Sequence, residues 1–311
     1  MGNAPNASDS SDERPQRGAR GLRSARVAPY IFIAPFFIFF LVFTAYPLID
    51  SIWLSTQDTV GLQTRVYAGG DNFEELAHDA LFWKSLKNTL YFLAGSVFVQ
   101  LPISLGLALI LNARIIKAKS AFRFAWFSPV LIAGVFIAII FGLIFDNEYG
   151  LLNYLLGAAG LGALKHNWIR DQHWVMPAII MAGVWRWAGF NMIYFLAGLQ
   201  SIRQELYEAA SIDGANRWQL FLHITLPGMW PIIVFVVVMS TIGSLQLFDL
   251  PYILLGGGGP NDSGLTIVMY MYRSGFQYMR LGYAAAIGWV IFAIVFVVSM
   301  LQMRFLARVH A

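Results

Sequence analysis

The chain has 311 residues, 58% of them apolar and 12% charged, with a net charge of +4 and a mean hydropathy of +0.61. A soluble domain is about 45–50% apolar and about 25% charged, so the chain reads as an all-α, polytopic membrane protein with too few charges to cover a soluble surface. Cysteine is absent, and His78, His166, His173, His223 and His310 lack the spacing of a helix-borne zinc site, which excludes disulfides, thiolate metal sites and cysteine nucleophiles.

Residues 1–26 are polar and then arginine-rich (Arg14, Arg17, Arg20, Arg23, Arg26), and are predicted to be a disordered cytoplasmic tail. The uncharged run 27–49 is too long for a signal-peptide core, and no small-residue cleavage site follows it, so it is read as a retained helix. Crossing about 30 Å of hydrocarbon takes roughly 20 helical residues. Further runs of that class are 88–113, 124–145 and 281–303. Two less regular ones are 174–199, interrupted by Arg186, and 230–250, set off by Pro227 and Pro231. Six transmembrane helices are therefore predicted within one membrane domain, 27–311.

The flanking charges orient them. With the N-terminus inside, 13 Lys and Arg fall on the cytoplasmic side and 7 on the other, which places both termini in the cytoplasm. Trp53, Trp83, Trp168, Trp174 and Trp230 lie near span ends, as interfacial tryptophans do. Because the basic residues sit at span ends, the positive charge is read as topology and nucleic acid is excluded as a partner.

Polar groups inside spans are costly unless they pair or face water. The fourth span carries Trp185, Arg186 and Asn191, and the fifth carries Thr241, Ser244 and Gln246. These six are candidate lining residues of a solute pathway, since aromatic faces and amides suit sugars. The other reading of Arg186 is reach to the outer interface or to a partner carbonyl, and that of the fifth-span hydroxyls is to bind helices together. No span pairs acids, or a serine with a histidine, so a membrane enzyme is disfavoured.

Between the fourth and fifth spans lies a cytoplasmic loop, 201–227. Ser201 with Gln204, and Asn216 with Gln219, have capping-box spacing. Asp213-Gly214 breaks the two helices apart, and Pro227 is expected to close the second. Glu208 offers a carboxylate, Ala209 and Ala210 leave a bare helix surface, and Leu206, Tyr207, Phe221 and Leu222 supply apolar area. The run Gly256–Gly259 before Pro260 lacks the Lys-Ser/Thr of a phosphate-binding loop and is read as a turn.

Glu208-Ala209-Ala210, Gly214 and Ile224-x-Leu226-Pro227, at their full spacing, resemble the EAA signature of permease subunits of binding-protein-dependent ABC importers. Ala45-Tyr46-Pro47, Leu196-Ala-Gly-Leu-Gln200, Leu247-Phe-Asp249 with Tyr252, Gly258-Gly-Pro260 and Gly282-Tyr-Ala-Ala-Ala286 are similar to the carbohydrate-uptake branch, of the maltose, lactose and glycerol-phosphate type. That branch usually shows a polar residue ahead of a shorter glycine run. The resemblance implies a type I importer fold in the bacterial cytoplasmic membrane. It also implies a coupling helix in which Glu208, Ala209, Ala210, Asp213 and Gly214 engage an ATP-binding subunit. The implied partners are a second permease subunit, two ATP-binding subunits carrying ATP and Mg, an extracytoplasmic solute-binding protein, lipid and a carbohydrate. No cofactor or metal is implied for this chain itself. The alternatives are a permease for another polar solute such as glycerol phosphate, a membrane enzyme or a passive channel.

Overall fold

The computed structural model describes Gly2 and residues 19–61, 64–113 and 118–308. The expectations for residues 3–18 and for Arg114 and Lys117 lie outside the described residues. In hydrocarbon a long apolar run satisfies its own backbone groups only as a helix or a closed barrel, and these runs are helical. Among the described residues four helices are long and apolar enough to cross a membrane: Pro29–Ser55, Ala80–Asn112, Val175–Ser201 and Leu281–Arg304. Two bent pairs raise the number to six if each is one span: Lys119–Leu131 with Gly134–Ile144, bent by 101°, and Arg217–Gly228 with Trp230–Leu245, bent by 65°.

The six expected runs fall on these elements, with four corrections. The first helix begins at Ala19, so residues 19–26 are helical rather than part of an unstructured tail. The second begins at Ala80 instead of 88, because Asp79 caps it and accepts the Leu81 N–H at 2.8 Å. The third is broken at Ile132-Ala133, both of which have extended backbone. The fifth stops at Leu245, and Asp249–Leu255 is a separate short helix.

Several helices contain one widened, five-residue turn: Leu41–Ala45, Ser96–Gln100, Phe221–Thr225 and Arg273–Gln277. An antiparallel hairpin not foreseen in the sequence, Gln57–Val60 with Thr64–Tyr67, pairs Gln57 with Tyr67 and Asp58 with Val66.

The chain forms two compact units, residues 1–53 and 54–311. In the first, Phe36, Phe37, Phe39, Phe40 and Phe43 are exposed along the helix, as suits an apolar surround. In the second, the fourth helix is the centre. Its first half packs with Ile137, Phe141, Phe145, Leu250 and Leu254. Its second half packs with Leu101, Leu107, Leu111, Met229 and Val236. A third cluster joins Leu76 and Phe82 to Ile267, Met269, Tyr283 and Ile287.

Candidate functional site

The fourth helix ends at Ser201, and Ile202-Arg203 turn the chain in extended conformation into the helix Gln204–Ile212. That helix closes in a Schellman motif: Ala215 N–H donates to the Ala210 carbonyl at 3.0 Å and Gly214 N–H to the Ser211 carbonyl at 3.2 Å. The motif needs a left-handed residue, and Gly214 supplies it at φ +83°. The next helix opens at Asn216 with the expected capping box. The Asn216 side chain accepts from the Gln219 N–H, and the Gln219 side chain accepts from the Asn216 N–H. Tyr207 and Thr225 share a hydroxyl hydrogen bond of 2.9 Å that ties the two helices together.

Two local expectations are corrected. Ser201 does not cap the next helix; it stays in the last turn of the fourth, where its Oγ donates to the Gly198 carbonyl. Gln204 instead donates to Glu208 Oε1 at 2.9 Å. Nor does Pro227 end its helix. The widened turn Phe221–Thr225 accommodates the missing N–H, the helix runs to Gly228, and the bend comes at Met229.

The segment leaves apolar area uncovered. Ile212 is 87% and Trp218 67% exposed, with Leu206 and Leu222 also exposed. Glu208, Ala209, Asp213 and Gly214 are exposed and Ala210 is half-buried. A cleft of about 300 Å³ is lined by Ala210, Asp213, Gly214, Ala215 and His223 among others. Exposed apolar area rimmed by polar groups suits contact with a protein or with a membrane surface.

The six residues singled out in the fourth and fifth helices divide by burial. Asn191, Thr241 and Ser244 are buried in the chain's own packing. Thr241 Oγ1 accepts from Gln302 Nε2 of the last helix at 2.8 Å, so it joins two helices. Trp185 and Gln246 are exposed, and Trp185 meets Phe141 edge-on, with centroids 5.6 Å apart. Arg186 Nη1 donates to Asp249 Oδ2 at 3.0 Å, and its guanidinium lies 5.0 Å from the Trp187 ring centroid. Asp249 was not singled out as a site residue, although an acid isolated in an apolar stretch facing a lone arginine was a signal for it. Gln302 was missed as well.

The glycine run is a turn, as expected. Gly256, Gly257 and Gly259 have φ of +62°, +140° and +71°. Gly256 is the left-handed cap of Asp249–Leu255. The turn borders a cleft of about 650 Å³ together with Arg170, Tyr252, Tyr278 and the Asp262–Arg273 ion pair.

A second polar group surrounds the start of the second helix. The Asp79 carboxylate accepts from the hydroxyls of Tyr270 and, at 2.6 Å, Tyr283. Burial raises its pKa, but these hydrogen bonds and those from the Leu81 and Phe82 N–H groups outweigh burial and hold it below the ordinary carboxylate value. Burial, then the bond to Asp79, push the Tyr270 hydroxyl up to about 12. Nearby, Arg280 grips Glu75 through two hydrogen bonds of 2.7 and 2.6 Å. Among the described residues no group of three or more His, Asp or Glu could hold a metal ion.

The exposed two-helix segment 204–228 thus joins helices long and apolar enough to cross a membrane. Residues 25–310 match the family described as binding-protein-dependent transport system inner membrane component, and the chain belongs to it. Among its relatives, the arabinooligosaccharides transport system permease protein AraP of Bacillus subtilis (strain 168) is 40% identical over 278 residues, covering 89% of this chain and 88% of that one. The lactose transport system permease protein LacF of Rhizobium radiobacter is 38% identical over 275 residues, 88% and 92% of the two chains. A crystal structure of a bacterial ABC transporter involved in import of the acidic polysaccharide alginate superimposes with a TM-score of 0.80 at 27% identity, over 94% of this chain and 99% of that one. The fold is that of a type I ABC importer permease.

Proposed function

We propose that this chain forms half of the translocation pathway of an ATP-driven importer for a sugar or oligosaccharide. The observation that carries the reading is the segment Glu208–Gly214. It is mostly exposed and closes the capped helix Gln204–Ile212, which only two residues join to the long fourth helix, so force applied there moves the core. Glu208, Ala209, Ala210, Asp213 and Gly214 engage one of two ATP-binding subunits, which hold the ATP and Mg. A second permease subunit completes the pathway, and an extracytoplasmic binding protein delivers the solute. Both termini are cytoplasmic in this reading, supported by the 13 to 7 charge bias. The carbohydrate assignment draws support from the relatives for arabinooligosaccharides and lactose and from the alginate importer. The pathway runs between the fourth and fifth helices, where Trp185 and Gln246 are exposed and Arg186 is neutralised by Asp249.

The test is uptake of radiolabelled arabinotriose, lactose and glycerol phosphate by proteoliposomes holding the assembled transporter with its binding protein. Saccharide uptake that requires both ATP and the binding protein is expected. Uptake without nucleotide would identify a channel instead, and uptake of glycerol phosphate alone would remove the sugar assignment.

A further inference from the structure

The break in the third membrane helix is held from both sides by residues 185–190 of the fourth. On the first arm, Lys119–Leu131, the Trp126 carbonyl lies so close to Gly189 that any side chain there would overlap it. Phe127 stacks on Phe190 in the same region, with centroids 6.4 Å apart. On the second arm, Gly134–Ile144, Phe141 packs against Trp185. Gly134, the first residue of that arm, lies against the Arg186–Asp249 ion pair, and a methyl group on it would overlap Asp249 Oδ2. The carboxylate therefore sits at the N-terminus of an 11-residue helix, where the dipole favours negative charge. Residues 185–190 grip both arms of a 101° bend.

The grip at the ion pair is incomplete. Arg186 makes one hydrogen bond to Asp249, and its buried Nε has no partner. The Asp249 side chain is 46% exposed while that of Arg186 is 13% exposed. A buried donor without a partner calls for an explanation. The fourth helix is unbroken over 27 residues, about 40 Å at 1.5 Å per residue, and leads straight to the coupling segment.

We propose that Arg186 and Asp249 are positioning residues of transport: an ion-pair latch that sets the angle of the broken third helix and opens and closes as the fourth helix is driven from the coupling segment. The latch rests on the transport role of the family and not on the identity of the solute.

Nitroxide labels on cysteines at the exposed positions 125 and 140 straddle the break, and the cysteine-free parent gives the background. In the assembled transporter in nanodiscs, pulsed EPR should read one label separation without nucleotide and a different one with ATP and vanadate. R186Q and D249N should each give a mixture of the two separations in either state, with uptake lowered roughly tenfold or more. Gly134→Ala displaces the pair without removing a charge and should give the same mixture. The double swap R186D/D249R should bring back nucleotide dependence. A purely structural role would reduce the amount of assembled complex and leave the separation of what assembles unchanged. Should R186Q and D249N fail to assemble, R186K and Gly134→Ala carry the same reading. Parent separations that ignore nucleotide, or latch variants that keep the parent separations, would overturn the proposal. Loss of sugar uptake alone would not, because the labels report the bend whatever solute is carried.

Discussion

Gly214 sits at φ +83° with no heavy atom within 4 Å of the position a Cβ would take. Substitution there strains the backbone and meets no neighbour within this chain. An L-residue held in the left-handed region costs about 1–2 kcal/mol, and asparagine less because its side chain bonds locally. Strain of that size lowers the population of the Schellman turn by up to about five- to thirtyfold. Proline cannot reach positive φ at all. The expected order of coupled activity is therefore glycine, asparagine, alanine, valine, then proline, the last uncoupled or unassembled although still inserted in the membrane. The assay is ATPase activity stimulated by the solute-loaded binding protein, alongside co-purification of the ATP-binding subunit with each variant. Asparagine proving as harmful as valine would refute the reasoning. Side-chain size would then decide, and glycine would be needed for close approach to the partner rather than for its dihedral angle.

The orientation is checked with cysteines at Ser10 and Ala159, the latter chosen because Gly160 has φ +76°; an impermeant thiol reagent on intact spheroplasts should label only position 159. Trp185→Ala and Gln246→Ala should impair uptake with binding-protein affinity unchanged, the latter by about 1–3 kcal/mol or roughly five- to hundredfold if its hydrogen bond to a sugar hydroxyl is lost. Thr241→Val should instead lower thermal stability, by about 0.6–1.7 kcal/mol, and leave apparent solute affinity alone. Thermal unfolding of the purified chain across pH tests the Asp79 group. The raised Tyr270 value means its contribution is complete below the ordinary tyrosine value of 10 and is lost as pH rises through about 12. The lowered Asp79 value means its contribution holds above the ordinary 3.8 and fades as pH falls through the lower folded value. Tyr270→Phe should flatten the alkaline loss, and an unchanged profile in that variant would show that other groups control it.

What was legible in the sequence was local or one-dimensional. Long apolar runs marked out stretches that fold as long helices or bent helix pairs, and the Asn216–Gln219 box and the Gly214 break were readable because their partners lie within five residues. Run length says nothing about straightness, however. The bend at Ile132-Ala133 is held by Gly189 and by the ion pair, contacts from distant parts of the chain. Ser201 has the residue type of a cap, but the fourth helix continues through it, and a hydroxyl inside a last turn bonds back to its own carbonyls. Among the six pathway candidates, burial separated Thr241 from Gln246, because the partner Gln302 is 61 residues away and no periodicity within the fifth helix points to it.

The widened turns bear on how the length of this chain can vary. Such a turn is an α-helix with one surplus residue looped out of its hydrogen-bond ladder. Losing a residue within Ser96–Gln100 would close the ladder and leave Phe92 before it, and Leu101, Ser104 and Leu111 after it, facing the neighbours they face now. The same loss at Leu105 would swing every following side chain by about 100° and turn Leu107 and Leu111 off the core. Single-residue gaps between relatives therefore belong at 41–45, 96–100, 221–225 and 273–277, where the helices already hold a residue in reserve.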